Sequence, residues 1–149
     1  MIKIIESFYD EESGCSYIKL ETELGHFDGY AWLNMEEDAE IGSSYFGCEL
    51  AEMRALERYY LRKKELLGQK LNTLYGLRAD FKKCVSHDCC TFKILNNRIH
   101  QTEIQNKQYK NIIHNIRKAI CNRPQDRIDT LKDVENILKK VNKKRQDNK

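Results

Sequence analysis

The clearest order in this chain is an alternation of threes and fours. Between Phe92 and Ile120, the residues Phe92, Leu95, Ile99, Tyr109, Ile113, Ile116 and Ile120 fill seven of nine seam positions, with Thr102 and Asn106 at the other two. Apolar groups at that spacing return to one side of a helix every turn, while the Gln, Asn, Lys and Arg between them face water. The stretch therefore predicts a long helix that lays a narrow stripe, with Ile113 buried at its centre, against another helix. A partner stripe lies upstream, where Met53, Tyr60, Leu67, Leu74 and Phe81 fall seven residues apart with Leu50, Leu56, Leu71 and Leu77 beside them. It predicts a helix from near Gly47 to about Val85, with Glu49 and Glu52 in its opening turns at the positive end of the helix dipole. Gly68 and Gly76 each weaken that helix by about 1 kcal/mol relative to Ala and mark places for a bend or a break. Val85 to Cys90 interrupts both periods and reads as the loop between the helices, with Thr91 as N-cap of the second. That helix stops at Cys121-Asn122-Arg123-Pro124, because the residue before proline is pushed out of helical geometry. A third helix is predicted from about Gln125, with Ile128, Leu131, Val134, Leu138 and Val141 on one side.

The first third of the chain has a period of two instead. Ile2 to Tyr9 is an apolar-rich run closed by the turn composition Asp10-Glu11-Glu12-Ser13-Gly14. In the next run Ile18, Leu20, Thr22 and Leu24 alternate with Tyr17, Lys19, Glu21 and Glu23, and after Leu24-Gly25-His26 a third run sets Phe27, Gly29, Ala31 and Leu33 against Asp28, Tyr30 and Trp32. Three short strands in succession read as an antiparallel meander. The small Gly29 and Ala31 on its inner face call for a helix lying close against it, which such a sheet needs to be stable. Asn34 to Gly47 is an acidic connector. The fold class expected is α+β: a small N-terminal antiparallel three-stranded sheet, then a long antiparallel helical hairpin of coiled-coil type, then the third C-terminal helix. The organisation expected is an acidic β-meander and connector over residues 1–47, followed by a basic hairpin and C-terminal helix over residues 48–149 that form one structural unit.

At 149 residues the chain has room for one domain with a real core. Its net charge of +3 hides a division: residues 1–52 carry thirteen Asp and Glu against two Lys, a net of −11, and residues 53–149 carry twenty-four Lys and Arg against ten acids, a net of +14. Either the two halves attract and solvate one fold, or one half presents a field to a partner. The opening Met1-Ile2-Lys3 reaches Glu6 without an apolar stretch of leader length, and no segment approaches membrane-spanning length, so a soluble cytoplasmic protein is expected. In that compartment the six cysteines, at 15, 48, 84, 89, 90 and 121, read as thiols rather than a disulfide framework.

Four groups of residues invite a chemical reading. Cys84, His87, Cys89 and Cys90 are the right ligand types for tetrahedral zinc, but lie too close together for a standard site, and no second Cys-x-x-Cys supports them. The same residues as a Cys and His nucleophile pair lack any recognisable oxyanion site, and no glycine-rich phosphate loop is present. No enzyme activity and no cofactor are expected. Arg54, Arg58 and Arg62, four apart, place three guanidinium groups in one row with Tyr59 adjacent. Such a row grips phosphates of a nucleotide or nucleic acid, or else pairs with acids of the same chain such as Glu57 and Glu65. The acids Glu36, Glu37, Asp38 and Glu40 form a patch suited to a basic protein surface. Asn106, a polar residue on the seam, can fix helix register and partner number, and a narrow seam of this kind suggests a homodimer.

Three segments carry a resemblance: Ser7-Phe8-Tyr9-Asp10-Glu11-Glu12-Ser13-Gly14, Gly25-His26-Phe27-Asp28-Gly29-Tyr30-Ala31, and Gly47-Cys48-Glu49-Leu50-Ala51-Glu52-Met53-Arg54-Ala55. They resemble small uncharacterised proteins of Gram-positive phages and prophages. The likeness covers the first third of the chain, carries no binding residue with it, and does not extend to the cysteine-rich loop. It implies an accessory protein similar in kind to anti-CRISPR and other counter-defence inhibitors. The function expected is a non-enzymatic, phage-derived binding protein that occludes the surface of a host defence protein, a nucleic-acid enzyme being the partner that the acidic patch suits. The alternatives are a sponge for an anionic nucleotide immune signal, using Arg54, Arg58, Arg62 and the faces of Tyr59 or Trp32, and a nucleic-acid-binding coiled coil.

Overall fold

The computed structural model describes residues 1–32, 44–84 and 90–121. Within them the element order is β1 (Lys3–Asp10), β2 (Cys15–Thr22), β3 (Gly25–Trp32), α1 (Ser44–Cys84) and α2 (Cys90–Cys121). The strands form one antiparallel sheet in the order β1-β2-β3. The α+β class, the meander and the helical hairpin are thus as expected, whereas the third helix from about Gln125 lies outside the described residues. The chain forms two compact units, Met1–Tyr60 with Ile112–Lys149 and Leu61–Asn111, so the first takes in the opening of α1 as well as the sheet, where the expected division fell after residue 47.

Turn chemistry sets the strand register in the first unit. Asp10 pairs with Cys15 across a four-residue loop. There the carboxylate of Asp10 accepts from the backbone N–H of Glu12 at 3.2 Å and from the Ser13 hydroxyl at 2.5 Å, and Gly14 supplies a φ of 64°. The second hairpin is tighter: Thr22 faces Gly25, and Thr22 Oγ1 accepts from Leu24 N–H at 3.0 Å while donating to the Gly25 carbonyl at 2.9 Å. Gly25 takes a φ of 104°. Gly25 and His26 therefore belong to β3, and the turn lies one step earlier than the composition suggested. β1 is irregular between Ile4 and Glu6, where its register against β2 shifts by one.

The inner face of the sheet meets α1 through its smallest residues. Ile18, Leu20, Ala31, Ala51 and Ala55 form a buried cluster, with Ile2, Cys48, Leu50 and Leu56 packed around it. A Cβ on Gly29 would run into the Ala51 carbonyl oxygen and stand 2.7 Å from the Ala55 backbone nitrogen, so backbone rides on backbone there. Gly47 is held in the same way against the Ser16 side chain, whose buried hydroxyl has no hydrogen-bond partner among the described residues. On α2, Ile112, Ile113, Ile116 and Ala119 are all buried. Ile113 and Ile116 are seam positions, whereas Ile112 and Ala119 lie off the alternation of threes and fours, so the buried stripe is wider here than a two-helix seam requires. Arg117 bonds Glu57 at 2.6 Å.

The second unit is a helix pair. Lys63 on α1 lies 5.7 Å from the ring centre of Tyr109 on α2, and Tyr75 donates its hydroxyl to Glu103 at 2.5 Å. Advancing along α1 retreats along α2, so the helices are antiparallel. Leu71, Leu74, Leu95 and Ile99 form the core, with Tyr75 and Phe81 against it. Both helices begin earlier than predicted. α1 starts at Ser44 with no acid in its first turn, which moves Glu49 and Glu52 away from the dipole end, and Thr91 lies inside α2 rather than capping it. Leu77 points outward at 46% exposure, against the prediction that placed it beside the seam. The helix runs through Gly68 and Gly76 without a break.

Candidate functional site

Because Ile18, Leu20, Gly29 and Ala31 face α1, the residues one step away face the other side, and there the sheet carries aromatic rings. Phe8, Tyr17 and Tyr30 stand opposite one another across β1, β2 and β3. Their ring centres are 5.1 and 4.9 Å apart, and Trp32 stacks on Tyr30 at 5.9 Å with the planes 15° apart. Such cross-strand pairs stabilise the sheet. Tyr17 is covered by its neighbours, but Phe8 is 48% and Trp32 64% exposed, so large apolar area faces water.

The rings are set among carboxylates. On this face Glu6, Lys19 and Asp28 form the row on one side of the rings, and Asp10 and Trp32 flank Cys15 in the row on the other side. Lys19 spans 4.0 Å to Glu6, and the Tyr17 hydroxyl donates to Asp28 at 2.9 Å. Burial, followed by the bond to Asp28 and the charges of Asp28 and Glu6, pushes the Tyr17 hydroxyl up to about 12. The Ser13 hydroxyl and the Glu12 N–H hold the Asp10 carboxyl below its ordinary value, so it is ionised at neutral pH. Flat rings beside ionised carboxylates accept cations on two counts, by charge and by the negative ring faces.

The arginine row is placed differently from a phosphate grip. Arg54 Nη1 donates to the Tyr30 carbonyl at 2.5 Å and Arg58 Nη1 to the Asp28 carbonyl at 2.7 Å. β3 is an edge strand, and these bonds cap carbonyl groups along it. The pitch explains the match: four helical residues rise about 6 Å and two strand residues about 6.7 Å, so side chains four apart meet alternate carbonyls. Arg62 bonds Glu65, one of the pairings foreseen for it, whereas Glu57 goes to Arg117. Tyr59, 2% exposed, donates to Glu23 at 2.8 Å and packs against Phe27 and Tyr60, so its ring does not offer a stacking face.

Glu36, Glu37, Asp38 and Glu40 lie outside the described residues, in the segment that follows Trp32. His87, Cys89 and the side chain of Cys84 lie outside them too, and Cys90 is the exposed first residue of α2. Among the described residues no group of three His, Cys, Asp or Glu side chains is placed to hold a metal ion. Of the four rings only Trp32 stands out in the sequence as a candidate binding residue, and only for stacking a base. The signal was nonetheless present, since Phe8, Tyr17, Tyr30 and Trp32 all occupy the strand parity that also carries Glu6, Asp10, Lys19, Glu21 and Asp28. Compared with known proteins, the chain matches no family, no curated sequence and no solved structure.

Proposed function

We propose that this chain is a non-enzymatic binding protein, of phage origin as its resemblance implies, that inhibits a host defence protein by covering a basic surface. The observation that carries the reading is the outer sheet face: Phe8 and Trp32 stand exposed in one contiguous aromatic cluster with Tyr17 and Tyr30, among the carboxylates of Glu6, Asp10 and Asp28. Exposed rings supply anchor area of the kind that dominates binding energy, and the acidic surround selects a partner rich in Arg and Lys. The working surface of a nucleic-acid enzyme has that character. Glu36, Glu37, Asp38 and Glu40 follow Trp32 in the chain and are acidic too.

The test compares the wild-type chain with Phe8→Ala/Trp32→Ala, both exposed positions whose loss leaves the inner face untouched. Each is used to capture proteins from bacterial host lysate, and whatever is retained is assayed for nucleic-acid cleavage or processing with and without the chain. The expected result is a nucleic-acid enzyme held and inhibited by the wild type and released by the double variant. Equal retention by both, or retention without inhibition, would overturn the reading.

A further inference from the structure

The two edges of the sheet are finished differently. On β3 the carbonyls of Asp28 and Tyr30 point away from β2, where Arg58 and Arg54 reach them. An antiparallel strand turns its N–H and C=O groups to one side and then the other, residue by residue. Asp28 and Tyr30 therefore exchange no ladder bonds with Lys19 and Tyr17 across from them, and Lys19 and Tyr17 turn instead to bond Glu6 and Phe8. It follows that Ser7 and Tyr9 direct their N–H and C=O groups outward from β1. Among the described residues β1 pairs with β2 alone, so nothing there meets those groups. The register shift between Ile4 and Glu6 ends the regular pattern, which leaves Glu6 to Asp10 as the open template. An open edge of this kind pairs with another extended chain.

The side chains select what that chain is. Glu6, Phe8 and Asp10 share the outer face, so the template reads acid, exposed ring, acid at alternate positions. A second copy running antiparallel and using both Ser7 and Tyr9 would set Phe8 against Phe8 and Glu6 against Asp10 twice over. Like charges directly opposite are destabilising, so the edge disfavours its own copy. A strand with bases at alternate positions meets each acid with a cation and lays a third over the Phe8 ring. Lys19 answers Glu6 only across 4.0 Å in an exposed pair, which leaves that carboxylate open to a closer cation. We propose that the β1 edge takes up an extended segment of a partner protein with Arg or Lys at every second residue, bonded to the backbone of Ser7 and Tyr9. This rests on the protein-binding reading of the outer face, which the added strand continues.

Three short end-capped peptides test it on the full wild-type chain. One alternates Arg and Thr, one has the same composition with its Arg residues contiguous, and one alternates but is N-methylated on the Thr residues, whose amides would face β1. Binding is followed by calorimetry and by amide hydrogen exchange. The expected result is that the alternating peptide binds and protects the Ser7 and Tyr9 amides, which exchange fast in the free chain, whereas the Glu6 and Phe8 amides are protected by β2 throughout. The contiguous and N-methylated peptides bind roughly tenfold or more weaker. Ser7→Pro removes an outward N–H that the β2 ladder does not use, so it weakens the alternating peptide by a similar factor; the peptide comparison does not depend on this variant folding. No binding of the alternating peptide at millimolar concentration overturns the proposal, as does equal binding of all three peptides or a Ser7 and Tyr9 pair left unprotected. Capture of a host enzyme that is lost in Phe8→Ala/Trp32→Ala but unchanged in Ser7→Pro overturns it too, and leaves the outer-face reading standing.

Discussion

The two compact units are held by opposite means. In the sheet-bearing unit, Gly29, Ala31, Ala51 and Ala55 let strand and helix backbones touch, and the contact works because side chains are missing. In the helix pair, Leu71, Leu74, Leu95 and Ile99 fill the space between two backbones. A glycine means something different in each. At Gly29 there is no room for a methyl group, whereas at Gly76 nothing lies within 4 Å of where one would go. Close approach tolerates no growth, and a filled seam with an open outer side tolerates growth on that side.

The sharpest way to break this contrast is the same substitution at both glycines. Gly29→Ala is expected to cost at least about 3 kcal/mol, or to prevent the first unit from folding, because the added carbon meets backbone that cannot move aside. Denaturant unfolding measures it, and a loss below 1 kcal/mol would mean that sheet and helix are not in backbone contact. Next in size is Arg54→Ala/Arg58→Ala, which uncovers the Tyr30 and Asp28 carbonyls on the β3 edge. About 1 to 3 kcal/mol should be lost, discounted because Arg58 is exposed, and sedimentation should show concentration-dependent association through the opened edge. Arg62→Ala, which breaks only an exposed bond to Glu65, should stay within about 0.5 kcal/mol of wild type and remain unassociated. Gly76→Ala should have the opposite sign to Gly29→Ala, stabilising by about 1 kcal/mol through helix propensity, read as a raised melting temperature.

The smallest effect belongs to the aromatic face and appears only in alkali. The Tyr17 hydroxyl is raised to about 12 from an ordinary 10, so the folded state favours its neutral form. Below pH 10 the group is neutral in both states and its contribution is fully present. Between about 10 and about 12 the unfolded chain ionises first, and stability is lost as pH rises. Tyr17→Phe should therefore narrow the fall in melting temperature across that window while leaving Tyr75, also raised by its bond to Glu103, to titrate as before. An unchanged alkaline profile would mean that burial and the bond to Asp28 do not raise the Tyr17 hydroxyl.

Much of the fold was legible because periodicity is a local property. Alternation by two located β2 and β3, seven-residue spacing located α1, and the seam from Phe92 to Ile120 located α2 with Ile113 buried at 5% exposure. The small pair Gly29 and Ala31 announced the helix against the sheet. The candidate site was far less legible. A row of arginines looks the same in sequence whether it waits for phosphate or caps strand carbonyls, since the acceptors on Tyr30 and Asp28 are backbone atoms that every residue possesses. The outer sheet face was hidden because Phe8, Tyr17, Tyr30 and Trp32 come from three strands, and each ring is isolated among polar neighbours until pairing sets them side by side.

The amino-acid sequence by itself determined which segments become strands and helices, which face of each is apolar, and how charge divides between the first 52 residues and the rest. Those properties follow from side-chain spacing along one chain, which folding does not change. Tertiary structure alone decided that α1 serves two units, that Arg54 and Arg58 close the β3 edge, that the rings of three strands make one surface, and that the Asn106 side-chain oxygen is buried without a hydrogen-bond partner among the described residues. Each of these depends on distances between atoms remote in sequence, and such distances exist only once strand register and helix crossing bring them together.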